Sequence, residues 1–212
     1  MRNSLTHFLR NLLAAAAVLA AVSPVSAQTL NGTYGTGPDT SYLVIQAADF
    51  GMEPLWYAFN YTYVPGNPLD GYAMLSTVVA GDPLLDAVIL NFGTLAEPNY
   101  FVDSIIYNSV TLTNTGAPTF SPYWAQWVSG GEAGYPTPAP IASGAWDFGS
   151  GMSAPYRSLV PGAWDGYIFN DGLTAPSITP VPEPGGVWLV LAASGALSGL
   201  SRSRTWKNRL SR

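Results

Sequence analysis

Two tryptophan–aspartate pairs, Trp146-Asp147 and Trp164-Asp165, stand eighteen residues apart, each closing the tetrapeptide Gly-Ala-Trp-Asp. Paired carboxylates are the minimum equipment of a glycosidase, which sets them about 5–9.5 Å apart across a sugar. An adjacent indole could stack on the sugar ring. The structural reading of the same residues is two similar strand-edge turns, in which Trp supplies burial and Asp satisfies turn backbone groups. Asp103, Asp147, Asp165 and Asp171 could also form an oxygen-rich calcium site, but no Asp-x-Asp-x-Asp-Gly loop supports one. No metal or cofactor is therefore expected. Six aromatics, Trp56, Tyr57, Tyr61, Tyr63, Trp124 and Trp127, could make an exposed sugar platform or fill an ordinary β-core. For ligand binding the candidates are Trp124, Trp127, Trp146 and Trp164.

Charge is distributed with equal bias. The 212 residues carry 8 Lys+Arg and 13 Asp+Glu, and the two signs are segregated. Arg2 and Arg10 lie at the start, and Arg202, Arg204, Lys207, Arg209 and Arg212 at the end. Between Gln28 and Pro184 there are 13 acids and one base, Arg157, for a net charge of −12. That stretch has no Cys, Lys or His, which excludes thiol chemistry, Schiff-base lysines, histidine bases and Cys/His zinc sites. An acidic surface also argues against nucleic acid, whose phosphates need a basic face. Arg157, alone among acids, is expected to pair with Asp165 or Asp147 and pin the last hairpin. No catalytic residue and no enzymatic activity are expected.

The elements that must position these residues read as a turn-rich α+β domain, mostly antiparallel sheet with one main helix. Apolar alternation marks strands at 41–47, 55–63, 101–110, 123–128 and 166–170. In the second of these, Leu55, Tyr57, Phe59, Tyr61 and Tyr63 fall on one face. The run Ala87-Val88-Ile89-Leu90-Asn91-Phe92 reads as a fully buried strand. Asp70 is a good N-cap for a helix with Tyr72, Leu75, Val78 and Val79 in a stripe, and Gly81 suits the C′ position. Asp82-Pro83 reads as a further capped turn. Loops are expected at 116–122 and 129–140, and a Pro-rich extended tether at 174–184.

Both ends have a recognisable grammar. Residues 1–27 read as a signal peptide: Arg2 and Arg10, an apolar run from Leu12 to Val22, and the small-residue site Val25-Ser26-Ala27. Signal peptidase and the export machinery are its implied partners. At the other end Pro182-Glu183-Pro184 precedes an uncharged segment, 185–201, whose helical length of roughly 25 Å is the short limit for a bilayer crossing. The basic tail 202–212 then favours a cytoplasmic end by the positive-inside rule.

This tail resembles the PEP-CTERM sorting signal in order, spacing and terminal position. The resemblance implies recognition by an exosortase that cleaves near the motif. It also implies a Gram-negative, exopolysaccharide-producing cell, a transient inner-membrane anchor, and release to the cell surface or extracellular matrix. The middle domain, roughly residues 41–170, resembles a block found in PEP-CTERM and actinobacterial secreted proteins: Tyr-Trp-x-x-Trp, a Trp-bearing turn, then Arg-x-Leu-x-x-Gly-Ser-Trp-Asp-Gly-Trp. Here the block reads Tyr123-Trp124-Ala125-Gln126-Trp127 and Arg157 to Tyr167, with Ala163 for the usual Ser and Tyr167 for the last Trp. More distantly it is similar to the C-terminal β-grasp domain of transcobalamin-like proteins, although no ligand contact maps residue by residue.

The expected organisation is a signal peptide (1–27), a secreted domain (28–173), a tether (174–184), a transmembrane helix (185–201) and a cytoplasmic tail (202–212). The expected function is structural or adhesive, within exopolysaccharide or biofilm. A carbohydrate- or small-ligand-binding module is the alternative, and a carboxylate-based hydrolase the third reading.

Overall fold

The computed structural model describes residues 30–117, 120–170, 172–178 and 180. The expected signal peptide, the Pro182-Glu183-Pro184 motif, the transmembrane segment and the basic tail lie outside the described residues, as does Asp171.

Among the described residues the protein is mostly β-sheet with a single α-helix. Twelve strands run in chain order: β1 (Gly32–Gly35), β2 (Asp39–Ala47), β3 (Met52–Tyr61), β4 (Leu85–Asn91), β5 (Tyr100–Tyr107), β6 (Val110–Thr113), β7 (Tyr123–Ser129), β8 (Glu132–Ala133), β9 (Ala139–Pro140), β10 (Asp147–Phe148), β11 (Arg157–Ser158) and β12 (Trp164–Asn170). The helix α1 (Gly71–Gly81) lies between β3 and β4. One sheet has six strands in the order β1-β3-β2-β12-β7-β10, and two three-stranded sheets are ordered β4-β5-β6 and β11-β8-β9. The two short strands β8 and β9 interrupt the region expected to be a loop.

The six-stranded sheet is mixed. β2 pairs antiparallel with β3, β12 antiparallel with β7, and the central pair β2–β12 runs parallel. A central strand covered on both faces must be apolar in both phases, and in β2 Leu43, Val44 and Ile45 are all fully buried. Leu43 and Ile45 face the main core with Tyr57, Phe59, Met74, Leu75, Val78 and Tyr167, whereas Val44 faces a second cluster with Trp164 and Ile178. The alternation read in β3 holds, with Leu55, Tyr57, Phe59 and Tyr61 buried together. Tyr63 lies just past the strand and packs against the same core.

Helix α1 starts where its cap dictates. Asp70 is extended (φ −117°, ψ 174°), and its Oδ1 accepts the Ala73 N–H at 2.8 Å. The helix buries Met74, Leu75 and Val78, each side chain stabilising by roughly 1.5–3 kcal/mol relative to full exposure. Gly81 is not at C′. It is the last helical residue, and Asp82 closes the helix by donating its N–H to the Val78 carbonyl. What Gly81 supplies is space, since a Cβ there would collide with the Tyr34 ring.

Two further expectations are corrected. β4 is not fully buried: Val88 is 44% exposed, Leu90 42% and the following Phe92 71%. Only one face of the strand is covered, so Leu85, Ala87 and Ile89 join the core while the alternate residues face outward. A short apolar run fits either arrangement. The tether does not begin at Thr174. Ser177 donates its N–H and Oγ–H to Gln46 Oε1 (2.9 and 3.0 Å), and Ile178 is buried against Val44 and Trp164. The chain therefore stays on the domain beyond residue 173.

Candidate functional site

The sole Lys or Arg among the described residues and one acid of the repeated tetrapeptide meet in the interior. Arg157 opens β11, Asp165 is the second residue of β12, and both are fully buried. Nε of Arg157 donates to Asp165 Oδ1 at 2.7 Å, and Nη2 reaches the same oxygen at 2.6 Å. Nη1 donates to the Gly130 carbonyl at 2.6 Å, and Nη2 to that of Trp164 at 3.2 Å. The glycine pair Gly130-Gly131, both at positive φ (69° and 74°), turns the chain there and aims that carbonyl inward. Gln126 of β7 offers its Nε2 to Asp165 Oδ2 at 3.4 Å while its Oε1 accepts from the Gly151 N–H.

The N-terminus of α1 closes the site. A Cβ at Gly71 would strike Asp165 Oδ2, so only glycine lets the helix sit this close. Helix N-termini favour a carboxylate. Burial pushes the Asp165 carboxyl up from its ordinary value, against the opposing pull of Arg157 and Gln126. Burial likewise raises the Tyr167 phenol well above its usual value, and its hydroxyl has no partner among the described residues. An anion clamp would need Arg157 donors open to solvent. They are spent on Asp165 and backbone carbonyls instead, so Arg157 acts as a structural tie between β12, the Gly130 turn and β11.

The two tetrapeptides share a local form and diverge in depth. Gly144 and Gly162 both have positive φ (88° and 79°), as turn glycines do. Asp147 opens the edge strand β10, is exposed, and binds its neighbour's Phe148 N–H. Asp165 lies in the central region of the sheet and caps no turn. The glycosidase pair is thus not assembled, because one of its carboxylates is sealed behind Arg157. Nor do Asp103, Asp147 and Asp165 join in a metal-binding group among the described residues.

The four candidate tryptophans do not share a groove. Trp124 is buried in the main core, with Nε1 donating to the Leu112 carbonyl at 2.9 Å. Trp164 is 2% exposed on the opposite face of the sheet. Trp127 is half-buried with its ring edge-on to Phe148, and Trp146 is half-buried with Nε1 bonded to the Ile178 carbonyl at 2.8 Å. The wider platform is divided in the same way: Tyr57 and Tyr61 point into the core, and Trp56 stacks on Trp164 at 5.7 Å on the other face. Alternation along β3 forces that split.

Other polar groups of the core were not legible in advance. Tyr57 donates its hydroxyl to Asp82 Oδ2 at 2.8 Å, and burial, followed by that bond, raises its pKa. Tyr61 bonds Ser41 at 3.1 Å and is pushed up to about 12, mainly by burial. Asp70 has a second role, its Oδ2 accepting the Ala154 N–H at 3.0 Å. For Gln126 a signal existed: it is a polar residue in the inward phase of a strand otherwise rich in aromatics.

Open clefts among the described residues include three of about 420, 360 and 600 Å³. Each holds a single carboxylate, Asp49, Glu53 and Glu132 respectively, so none presents an acid–base pair. No protein-family model, curated protein or solved structure matches this chain.

Proposed function

We propose that this chain is an exported, exosortase-processed protein whose domain has a structural or adhesive role in an exopolysaccharide matrix at the cell surface. The addresses are those of the sequence: the N-terminal export segment, and Pro182-Glu183-Pro184 followed by an apolar stretch and a basic tail. In this reading the inner-membrane anchor is transient and the exosortase is the processing partner. For the domain, the carrying observation is the outer face of β4–β5–β6. Val88 and Leu90 stand in water there, Phe92 just past the strand is exposed and rests edge-on against Phe101 at 5.6 Å, and Leu95 in the following loop is fully exposed. Exposed apolar sheet surface beside an unpaired edge strand is an association surface.

The fold reading that accompanies this is β-grasp-like. Its support is the order β3-β2-β12-β7, two antiparallel pairs whose inner strands run parallel, with α1 in the crossover.

The test expresses the full chain in an exosortase-bearing, polysaccharide-producing host and follows it by fractionation. The mature protein is expected in the surface or matrix fraction, and Leu90→Lys with Phe92→Ser should reduce its retention there without reducing export. Quantitative retention in the inner membrane would defeat the sorting reading. Unchanged matrix retention in the double variant would defeat the role given to this face.

A further inference from the structure

The three-stranded sheet β11-β8-β9 sorts its side chains by register. Ser158 of β11 is paired with Glu132 of β8, and Glu132 with Pro140 of β9, so these three stand in one row across the strands. Directly paired residues share a face, with Cβ atoms about 4.5–5.5 Å apart. The alternate residues Arg157 and Ala133 are buried, which turns the row outward. Together with Tyr63 and Ser143 it lines the cleft of about 600 Å³, a size within the roughly 300–1,000 Å³ of small-ligand sites.

Four polar groups of this cleft are unspent. The hydroxyls of Tyr63, Ser143 and Ser158 and the carboxylate of Glu132 have no hydrogen-bond partner among the described residues, and none is sealed from water. Tyr63 packs against the main core and also lines the cleft, so its ring is anchored from behind. The wall is held in the same way. Arg157 Nη1 grips the Gly130 carbonyl at 2.6 Å, and the Ile141 N–H donates to the next carbonyl, that of Gly131, at 2.9 Å. The buried ion pair thus stiffens a cleft that it does not enter. Groups fixed beforehand lose little freedom when a ligand arrives.

The lining selects the class of ligand. Glu132 is the only charged side chain among the described residues there, and the donors of Arg157 are spent in the interior. Nothing in the cleft neutralises a phosphate or a uronate, and the excess of acids in the domain repels both. One carboxylate is too few for calcium, which takes about six to eight oxygens. A ring with an apolar face and several hydroxyls fits every group present. Its face can lie on Tyr63, two of its hydroxyls can donate to Glu132, and the serines can both donate and accept.

We propose that this cleft binds a glycan free of acidic groups, neutral or amino-substituted. The inference deepens the matrix role proposed above by naming what the domain holds. It rests on that role for the polymer met in the cell, and not for the binding itself.

The full chain, in micelles of a detergent without a sugar headgroup, is titrated calorimetrically with cellotetraose, a glucosamine tetramer and a galacturonate tetramer. One or both of the first two should bind with a Kd on the order of 0.1–1 mM, and which of them binds tells the charge of the polymer. The galacturonate tetramer should bind about tenfold more weakly or not at all. Ser143→Trp fills the cleft from an exposed position and should weaken binding about tenfold, and Glu132→Ala about fivefold. Tyr63→Ala should match the tryptophan variant, whereas Tyr63→Phe, which keeps the ring, should stay within about twofold of the parent. Binding of neither the neutral nor the amino tetramer would overturn the proposal, as would tightest binding of the galacturonate. Parent affinity in Ser143→Trp and Glu132→Ala, with circular dichroism unchanged, would place any binding elsewhere and overturn it too. Both side chains are exposed, so these variants carry the test even if Tyr63→Ala does not fold. Inner-membrane retention in cells would leave these titrations unchanged, so the sorting reading and this one fail separately.

Discussion

Replacing Arg157 by methionine isolates what the buried ion pair does. The substitution keeps an unbranched side chain and removes the charge, leaving the Asp165 carboxylate at zero exposure without its partner. Removing one member of a buried pair costs ~3–5 kcal/mol, because the other charge stays uncompensated. The Gly130 and Trp164 carbonyls also lose donors at 2.6 and 3.2 Å. The 3.5 Å approaches to Glu132 and Ser158 are too long to add to this. Against a typical stability of about 5–15 kcal/mol, Arg157→Met should therefore lower the unfolding free energy by about 4–5 kcal/mol. Asp165→Leu should cost a similar amount by stranding the guanidinium. The double variant should be less destabilised than their sum by ~6 kcal/mol, since the stranded charge that each single variant leaves, about 3 kcal/mol or more apiece, is then absent. It should still fall short of the parent by about 2–3 kcal/mol, because the two carbonyls remain without donors. Urea unfolding of residues 28–180, followed by tryptophan fluorescence with a common m-value, measures all four forms. A loss under about 1 kcal/mol for Arg157→Met, or strict additivity in the cycle, would show that the pair does not tie the fold together.

Two other outcomes follow from the geometry. Tyr57, Tyr61 and Tyr167 are held protonated above the ordinary phenol value, Tyr61 to about 12. The unfolded chain ionises near 10, so their contribution is intact below pH 10 and is lost as pH rises toward the folded-state values, by ~1.4 kcal/mol per pH unit for each phenol. Unfolding between pH 10 and 12, with phenolate absorbance rising in step, is expected; near-ultraviolet dichroism unchanged to pH 12 would contradict it. Asp70→Ala removes both the helix cap and the Ala154 contact, and should cost about 1–2 kcal/mol, with early amide exchange in the first turn of α1. Amide protection there equal to the parent's would refute the capping role.

Much of the scaffold was legible because it depends on near neighbours. Alternation located β2, β3, β5, β7 and β12, and the Asp70 cap located the helix start, since both signals are set within a few residues. β4 was misjudged because four successive apolar residues, Ala87 to Leu90, read alike in a strand covered on both faces and in one covered on a single face. Gly81 was misplaced because glycine serves equally to end a helix or to admit a ring. The Trp56 to Tyr63 platform dissolved because alternation sends neighbours to opposite faces.

The sequence by itself determined the chemical inventory: no thiol, imidazole or amine in the middle of the chain, one cation that had to find an acid, and acids in large excess. Which acid it found was a tertiary matter. Asp147 and Asp165 follow the same Gly-Ala-Trp, and nothing local separates them. The parallel pairing of β12 with β2 carries Asp165 into the interior, beneath the helix N-terminus and against Arg157, while β10 leaves Asp147 at the rim. The same packing brings Ile178 back onto the sheet, so that what reads as a tether becomes part of the domain. Identical tetrapeptides have identical local preferences, and only long-range strand order could make one exposed and the other a buried charge.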